Sequence, residues 1–199
     1  MLEARDLTCV RAERVVFAGL GLQLSPGEAL LVTGPNGSGK SSLLRLLAGL
    51  LPSAQGQVLW QGAPIDDDPG AYRSGLHYIG HLDAVKPALT VAQNLAFWAQ
   101  LRGVTAECVT PALGQFGLAT LASLPARFLS AGQRRRLALA RLVAIGAPLW
   151  LLDEPTIALD RENVEAFEAA IAQHRTRGGV AVVSSNVAIA LGDARTLDL

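Results

Sequence analysis

The chain has 199 residues, half of them hydrophobic and 17% charged, which suits one domain, or one domain with a subdomain, around a well-filled core. Lys+Arg and Asp+Glu number 17 each, so no global basic field exists to draw the chain onto nucleic acid, and the composition argues against disorder. Cys9 and Cys108 lie far apart with no C-x-x-C spacing and are expected to be reduced thiols, not a disulfide or a zinc site.

Met1-Leu2-Glu3-Ala4-Arg5-Asp6 carries acids and no apolar run, so no signal peptide is expected. Residues 2–9 and part of 15–24 alternate apolar with polar, predicting strands of a half-exposed sheet. After the turn Ser25-Pro26-Gly27, residues 28–33 form a short apolar strand that runs straight into Gly34-Pro35-Asn36-Gly37-Ser38-Gly39. Leucines at helical spacing then fill residues 41–50, and Gly49 and Pro52 end that helix. Residues 57–60 and 76–79 are further strands, and the pattern from about 90 to 146 is helical. A buried strand at 149–152, an amphipathic helix at 161–175 and a β-branched strand at 179–184 complete the chain. Strands alternating with helices predict an α/β fold with a mainly parallel sheet, interrupted in sequence by a helical insertion. The most apolar stretch, 137–152, is cut by Arg141 and Pro148 and falls short of the ~20 clean apolar residues that a membrane span needs. A soluble protein is expected, attached to any membrane only through a partner.

Gly34 to Ser41 fits G-x-x-x-x-G-K-[ST] between a predicted strand and a predicted helix, the context that gives this motif its meaning. Glycines let the backbone wrap closely around phosphates, and the helix that follows adds its positive N-terminal end. The candidate set for ATP is Gly34, Pro35, Asn36, Gly37, Ser38, Gly39, Lys40, Ser41 and Ser42. Lys40 supplies a movable charge to the β- and γ-phosphates, and Ser41 offers its hydroxyl to Mg²⁺. The only other lysine is Lys86, so a lysine inside a glycine-rich loop is hard to dismiss as accident. Further on, Leu149-Trp150-Leu151-Leu152 ends in Asp153-Glu154. A buried strand would bring Asp153 beside the cradle to hold Mg²⁺, and Glu154 would polarise an attacking water. Many strands end in acidic turns; paired with the upstream loop, this one becomes the second half of a nucleotide site.

Leu129-Ser130-Ala131-Gly132-Gln133 separates the possibilities, because it resembles the L-S-G-G-Q signature of the ABC ATPase family, with Ala131 in place of one glycine. The resemblance covers essentially the whole chain and implies a single ABC ATPase domain: an α/β P-loop NTPase cassette with a mainly parallel core sheet, an N-terminal antiparallel β region and a helical subdomain. The core would be about residues 1–82 and 146–199, and the subdomain about 83–145. It also implies a homodimer in which Ser130, Gly132 and Gln133 face the nucleotide held by the opposite subunit, two chains enclosing two ATPs. Ser130 is equally an ordinary helix N-cap, and the two roles are compatible. Ala158-Leu159-Asp160 matches the D-loop at the dimer interface, and 80–86 occupies the Q-loop position, which couples the site to a transmembrane partner.

Three positions depart from the common ABC pattern. His81 stands at the Q-loop glutamine, Asn186 at the switch histidine, and Arg11 near the missing adenine-stacking aromatic. Leu2-Glu3-Ala4-Arg5, the run from Cys9 to Arg14, Val58-Leu59-Trp60-Gln61-Gly62, and Ile79-Gly80-His81 with Lys86 resemble the CcmA family of cytochrome c biogenesis ATP-binding export proteins. That resemblance implies integral membrane permease partners in a cytochrome c maturation complex, a peripheral place on the cytoplasmic face of the bacterial inner membrane, and haem export or handling without direct haem binding. Arg11 either stacks its guanidinium on adenine or is a solvated strand-end charge. His81 either takes the glutamine's metal- or water-facing role or faces the partner. Asn186 can hydrogen-bond a γ-phosphate but carries no charge, so hydrolysis would lean on Glu154. Another transported cargo, a non-transport ABC ATPase and a small P-loop kinase are the rival readings; the signature argues against the kinase. Asp66-Asp67-Asp68 is expected to be a solvated loop, and Arg134-Arg135-Arg136 mostly the outer face of the signature helix.

Overall fold

In this computed structural model, which describes residues 1–199, β1 (Leu2–Arg11) and β2 (Arg14–Leu24) form an antiparallel hairpin. Its two-residue turn, Ala12-Glu13, has both residues at positive φ, a geometry that continues the strand twist. β4 (Gln55–Trp60) pairs with β1, and the two-residue β5 (Ala63–Pro64) closes a four-stranded antiparallel sheet of order β2-β1-β4-β5.

The second sheet has the order β6-β7-β8-β3-β9, with every pairing parallel. Its strands are β3 (Ala29–Thr33), β6 (Leu76–Ile79), β7 (Leu149–Asp153), β8 (Val180–Ser184) and β9 (Arg195–Asp198). Near-continuous apolar runs are what a sheet covered on both faces requires. Leu149, Leu151, Val180 and Val182 pack with α1 (Lys40–Leu47) and the antiparallel sheet. Their neighbours Trp150, Leu152, Ala181 and Val183 pack with α5 (Ala131–Ile145) and α6 (Arg161–Thr176). Between β6 and β7 in sequence the regular elements are helical: α3 (Val91–Leu101) and α4 (Val109–Gln115) both pack on α5. The α/β architecture thus agrees with the sequence. No helix is long and apolar enough to cross a membrane.

Some details differ. Asp68 is no idle loop acid: its carboxylate accepts the Ala71 N–H at 2.9 Å and caps α2 (Pro69–Ser74), a helix too short to show periodicity. β9 is an edge strand of exposed and half-buried residues, so it lacks the apolar signal that marks the inner strands. Within the arginine triplet, Arg134 and Arg136 are half-buried while Arg135 is only 5% exposed, which overturns the expectation of an outer-face charge run.

Candidate nucleotide site

β3, buried on both faces, delivers the chain to Gly34 at the carboxyl edge of the parallel sheet, where open α/β sheets bind ligands. Gly34 has φ 134°, and a Cβ there would collide with the Leu199 carbonyl and come within 2.8 Å of Ser38 Oγ. Only glycine fits that approach. Gly39 has φ 112°, and its Cβ would lie 2.5 Å from Val16 Cγ1, so β2 packs directly over the loop. Gly39 is also the N-cap of α1 and supplies no side-chain cap, which leaves first-turn amides available to an anion. Lys40 is almost buried, and its Nζ donates to the carbonyls of Gly34 (2.7 Å) and Pro35 (3.1 Å). The Ser38 hydroxyl is buried without a partner.

The loop opens on a cleft of about 610 Å³ lined by Arg11, Val16, Asn36, Gly37, Gly39, Lys40, Ser41, Ser42, His81, Glu154, Ile157 and Asn186. The sequence-predicted residues of five separate segments meet here: Arg11, the 36–42 loop, His81, Glu154 and Asn186. Asp153 lies just beneath, 1% exposed, as the last residue of β7 opposite Ser184 of β8. Its Oδ1 accepts the Ser184 hydroxyl at 2.6 Å, while its Oδ2 is buried with no partner. An orphaned buried carboxylate oxygen suits a divalent cation or its bound water. Glu154 stands one residue on, at φ 49°, an uncommon left-handed conformation for a side chain of its size. Its N–H is shared between the Ser184 carbonyl and Ser184 Oγ, both at 3.1 Å, and its Oε2 accepts the Asn186 N–H at 3.2 Å. Asn186 Nδ2 donates to Asn36 Oδ1 at 2.7 Å, tying the end of β8 to the glycine-rich loop. Ser184 escaped notice in the sequence; the available signal was a hydroxyl ending an otherwise apolar strand.

Ser130, Gly132, Gln133 and Asp160 do not line this cleft. Ser130 caps α5 in a reciprocal box: its Oγ accepts the Gln133 N–H at 3.2 Å, and Gln133 Oε1 accepts the Ser130 N–H at 2.8 Å. A Cβ on Gly132 would come within 2.6 Å of the Ala158 carbonyl, so the glycine admits the turn before α6. Asp160 caps α6 by accepting the Asn163 backbone N–H at 3.0 Å. That bond and the one from the Asn163 side chain hold its carboxyl below the ordinary 3.8.

The family model for ABC transporters matches residues 17–157. The chain is 54% identical to the cytochrome c biogenesis ATP-binding export protein CcmA of Paramagnetospirillum magneticum, over 98% of this chain and 92% of that one. It is 56% identical to the CcmA protein of Rhodospirillum rubrum, over 98% of this chain and 83% of the relative. The chain belongs to the ABC transporter family, in its CcmA branch. Among solved structures, a dimeric ATP-binding cassette bound to ADP and phosphate in a post-hydrolysis state superposes with a TM-score of 0.83 at 24% identity. That match covers 94% of this chain and 88% of that one, and it shows the shared fold. This CcmA-family chain is the ATP-binding, ATP-hydrolysing subunit of an ABC transporter.

Proposed function

We propose that the subunit works as a homodimer enclosing two ATPs, and that it energises haem export or handling in a cytochrome c maturation complex. The reading rests above all on the convergence of Lys40, Ser41, Glu154, His81 and Asn186 on one cleft, with the unpartnered Asp153 Oδ2 beneath it. The loop amides and the N-terminus of α1 cradle the phosphates, and Lys40 turns from its loop carbonyls to them. Ser41 and Asp153 would hold Mg²⁺, which supplies charge neutralisation on the phosphates when bound. Glu154 orients the attacking water, held in place by Ser184 and the Asn186 amide. Asn186 and His81 contact the γ-phosphate region without a switch histidine, and Arg11 stands where adenine enters. Ser130, Gly132, Gln133 and Asp160 complete the partner's site, as the dimeric form of the solved cassette suggests.

The CcmA names of the relatives support the cytochrome c role. Integral permease subunits would anchor the chain at the cytoplasmic face of the inner membrane through the helical region, about residues 83–145; no nucleic acid and no direct haem contact are involved. Two measurements test the reading. Glu154→Gln should lower ATP turnover by roughly 10²–10⁴-fold with ATP binding kept. Purification from membranes should bring down integral cytochrome c maturation proteins; permeases of another pathway would sink the cargo while leaving the ATPase intact.

A further inference from the structure

Arg135, on the second turn of α5, is 5% exposed yet uses all five of its N–H donors. Nε donates to the Pro155 carbonyl at 3.0 Å, and Nη2 to the carbonyls of Asp153 (2.8 Å) and Glu154 (2.7 Å). Nη1 donates to the Gly80 carbonyl at 2.8 Å and to Asp83 Oδ1 at 3.0 Å. One guanidinium therefore joins three segments: the helix capped by Ser130, the turn that carries Asp153 and Glu154, and the 80–83 stretch that contains His81. Four of its five acceptors are backbone carbonyls, and Asp83 alone supplies a compensating charge. Burying a guanidinium without saturating its donors is costly, so the geometry around it is strongly specified.

The turn it grips is also where the backbone is least relaxed, with Glu154 at φ 49°. A residue held in the left-handed region persists only where its surroundings over-determine it. Ser184 fixes the amide side of Glu154, and Arg135 fixes the carbonyl side.

We propose that Arg135 is a positioning residue for hydrolysis: it clamps the strained Asp153-Glu154-Pro155 turn onto α5 and the 80–83 segment, and so sets where the Glu154 carboxylate stands. The proposal rests on the water-orienting role assigned to Glu154 above. It also means that α5 and the turn move together, so a displacement of the 80–83 segment reaches Glu154 through a single side chain. Lysine keeps the charge opposite Asp83 but cannot grip carbonyls on both sides with a planar fork.

The test is steady-state and single-turnover hydrolysis by the full-length chain carrying R135K, R135Q, D83N or E154Q, and the R135K/E154Q pair, with thermal melting and ATP titration alongside. R135K should lower kcat by about 10- to 100-fold while KM and ATP affinity stay within about threefold, the behaviour of a misplaced catalytic group. D83N, which removes the one compensating charge but leaves an amide oxygen to accept from Nη1, should lower kcat by less than R135K. In the E154Q background, R135K should change the residual rate by no more than about twofold, because the group it positions is already lost. Parental kcat in folded R135K and D83N overturns the proposal, as does a full additional loss in the E154Q background. A kcat that falls only in proportion to the unfolded fraction also overturns it. If R135K and R135Q fail to fold, D83N and its pairing with E154Q decide by the same criteria. Parental kcat in E154Q alone overturns the Glu154 reading itself, whereas a dead E154Q beside an unimpaired R135K overturns only the clamp.

Discussion

α1 begins on Gly39, which offers its first turn no side chain, whereas α5 begins on Ser130, whose hydroxyl and amide are both engaged by Gln133. The two helices point their N-termini at the same kind of ligand in the proposed dimer but are prepared for it differently. The first turn of α1 is an incomplete structure that an anion completes. In α5 the Gln133 amide is already capped by Ser130, so that part of its first turn stands formed in the free chain. Because Ser130 Oγ accepts from Gln133, its hydroxyl proton is still free to donate to a phosphate. In the proposed dimer this difference would leave ATP capture to the cradle and the later closing step to α5.

The largest effect that would break this comparison is at Lys40. Lys40→Ala should cost about 2–3 kcal/mol of ATP binding, roughly 100-fold, in a fluorescence titration of the full chain. Unchanged affinity would deny the cradle its capture role. Ser130→Ala should sharpen the contrast: about 1 kcal/mol of stability is lost with the cap, seen in chemical denaturation. ATP binding should hold at parental affinity while turnover falls roughly tenfold; a loss of affinity as large as that of Lys40→Ala would erase the distinction. Asn186→His exchanges a neutral donor for a titratable one and breaks the bond to Asn36, so turnover should shift by only about threefold. A fall to the level of Glu154→Gln would show that hydrolysis does not lean on Glu154 in the way proposed. The smallest effect concerns the third cap, Asp160. Its carboxyl is held below 3.8 by the Asn163 backbone and side-chain donors, so its stabilisation is complete above that value and lost as the pH falls through its lower folded value. Melting at about pH 5 and at about pH 3 should show a larger loss for the parent than for Asp160→Asn, which still caps when uncharged; equal losses would remove the cap's charge from the account.

The elements with strong periodicity or fixed chemistry were legible in the sequence: the apolar strand into Gly34, the leucine-rich α1, and the strand ending in Asp153. Their signals are local, because a strand buried on both faces and a glycine-rich loop need particular residue types wherever they occur. Arg11, His81 and Asn186 were located by resemblance to a family pattern, and the cleft brings them together. Features built from non-local contacts were hidden. α2 depends on Asp68 and is only six residues long, and β9 is specified by pairing with β3. The arginine triplet reads as a solvated face, yet Arg135 lies three, four and seven residues before the buried Ala138, Leu139 and Leu142. That helical spacing marked it as inward-facing. What no spacing could reveal was the ring of carbonyls, drawn from residues 80 and 153–155, that makes a buried guanidinium tolerable.

Asp153 and Ser184 form the last registered pair between β7 and β8, so the acids of the site stand on the terminal rung of the sheet. End rungs open locally at far lower free energy than the centre of a sheet. The Glu154 amide proton is held there by Ser184 alone, through its carbonyl and its hydroxyl. Its exchange with solvent deuterium is therefore a clock for the breathing of that rung, slow while the rung stays closed and accelerated by whatever loosens Ser184 or Arg135. A nucleotide that quiets this clock would be rigidifying the hydrolytic centre before any bond is broken.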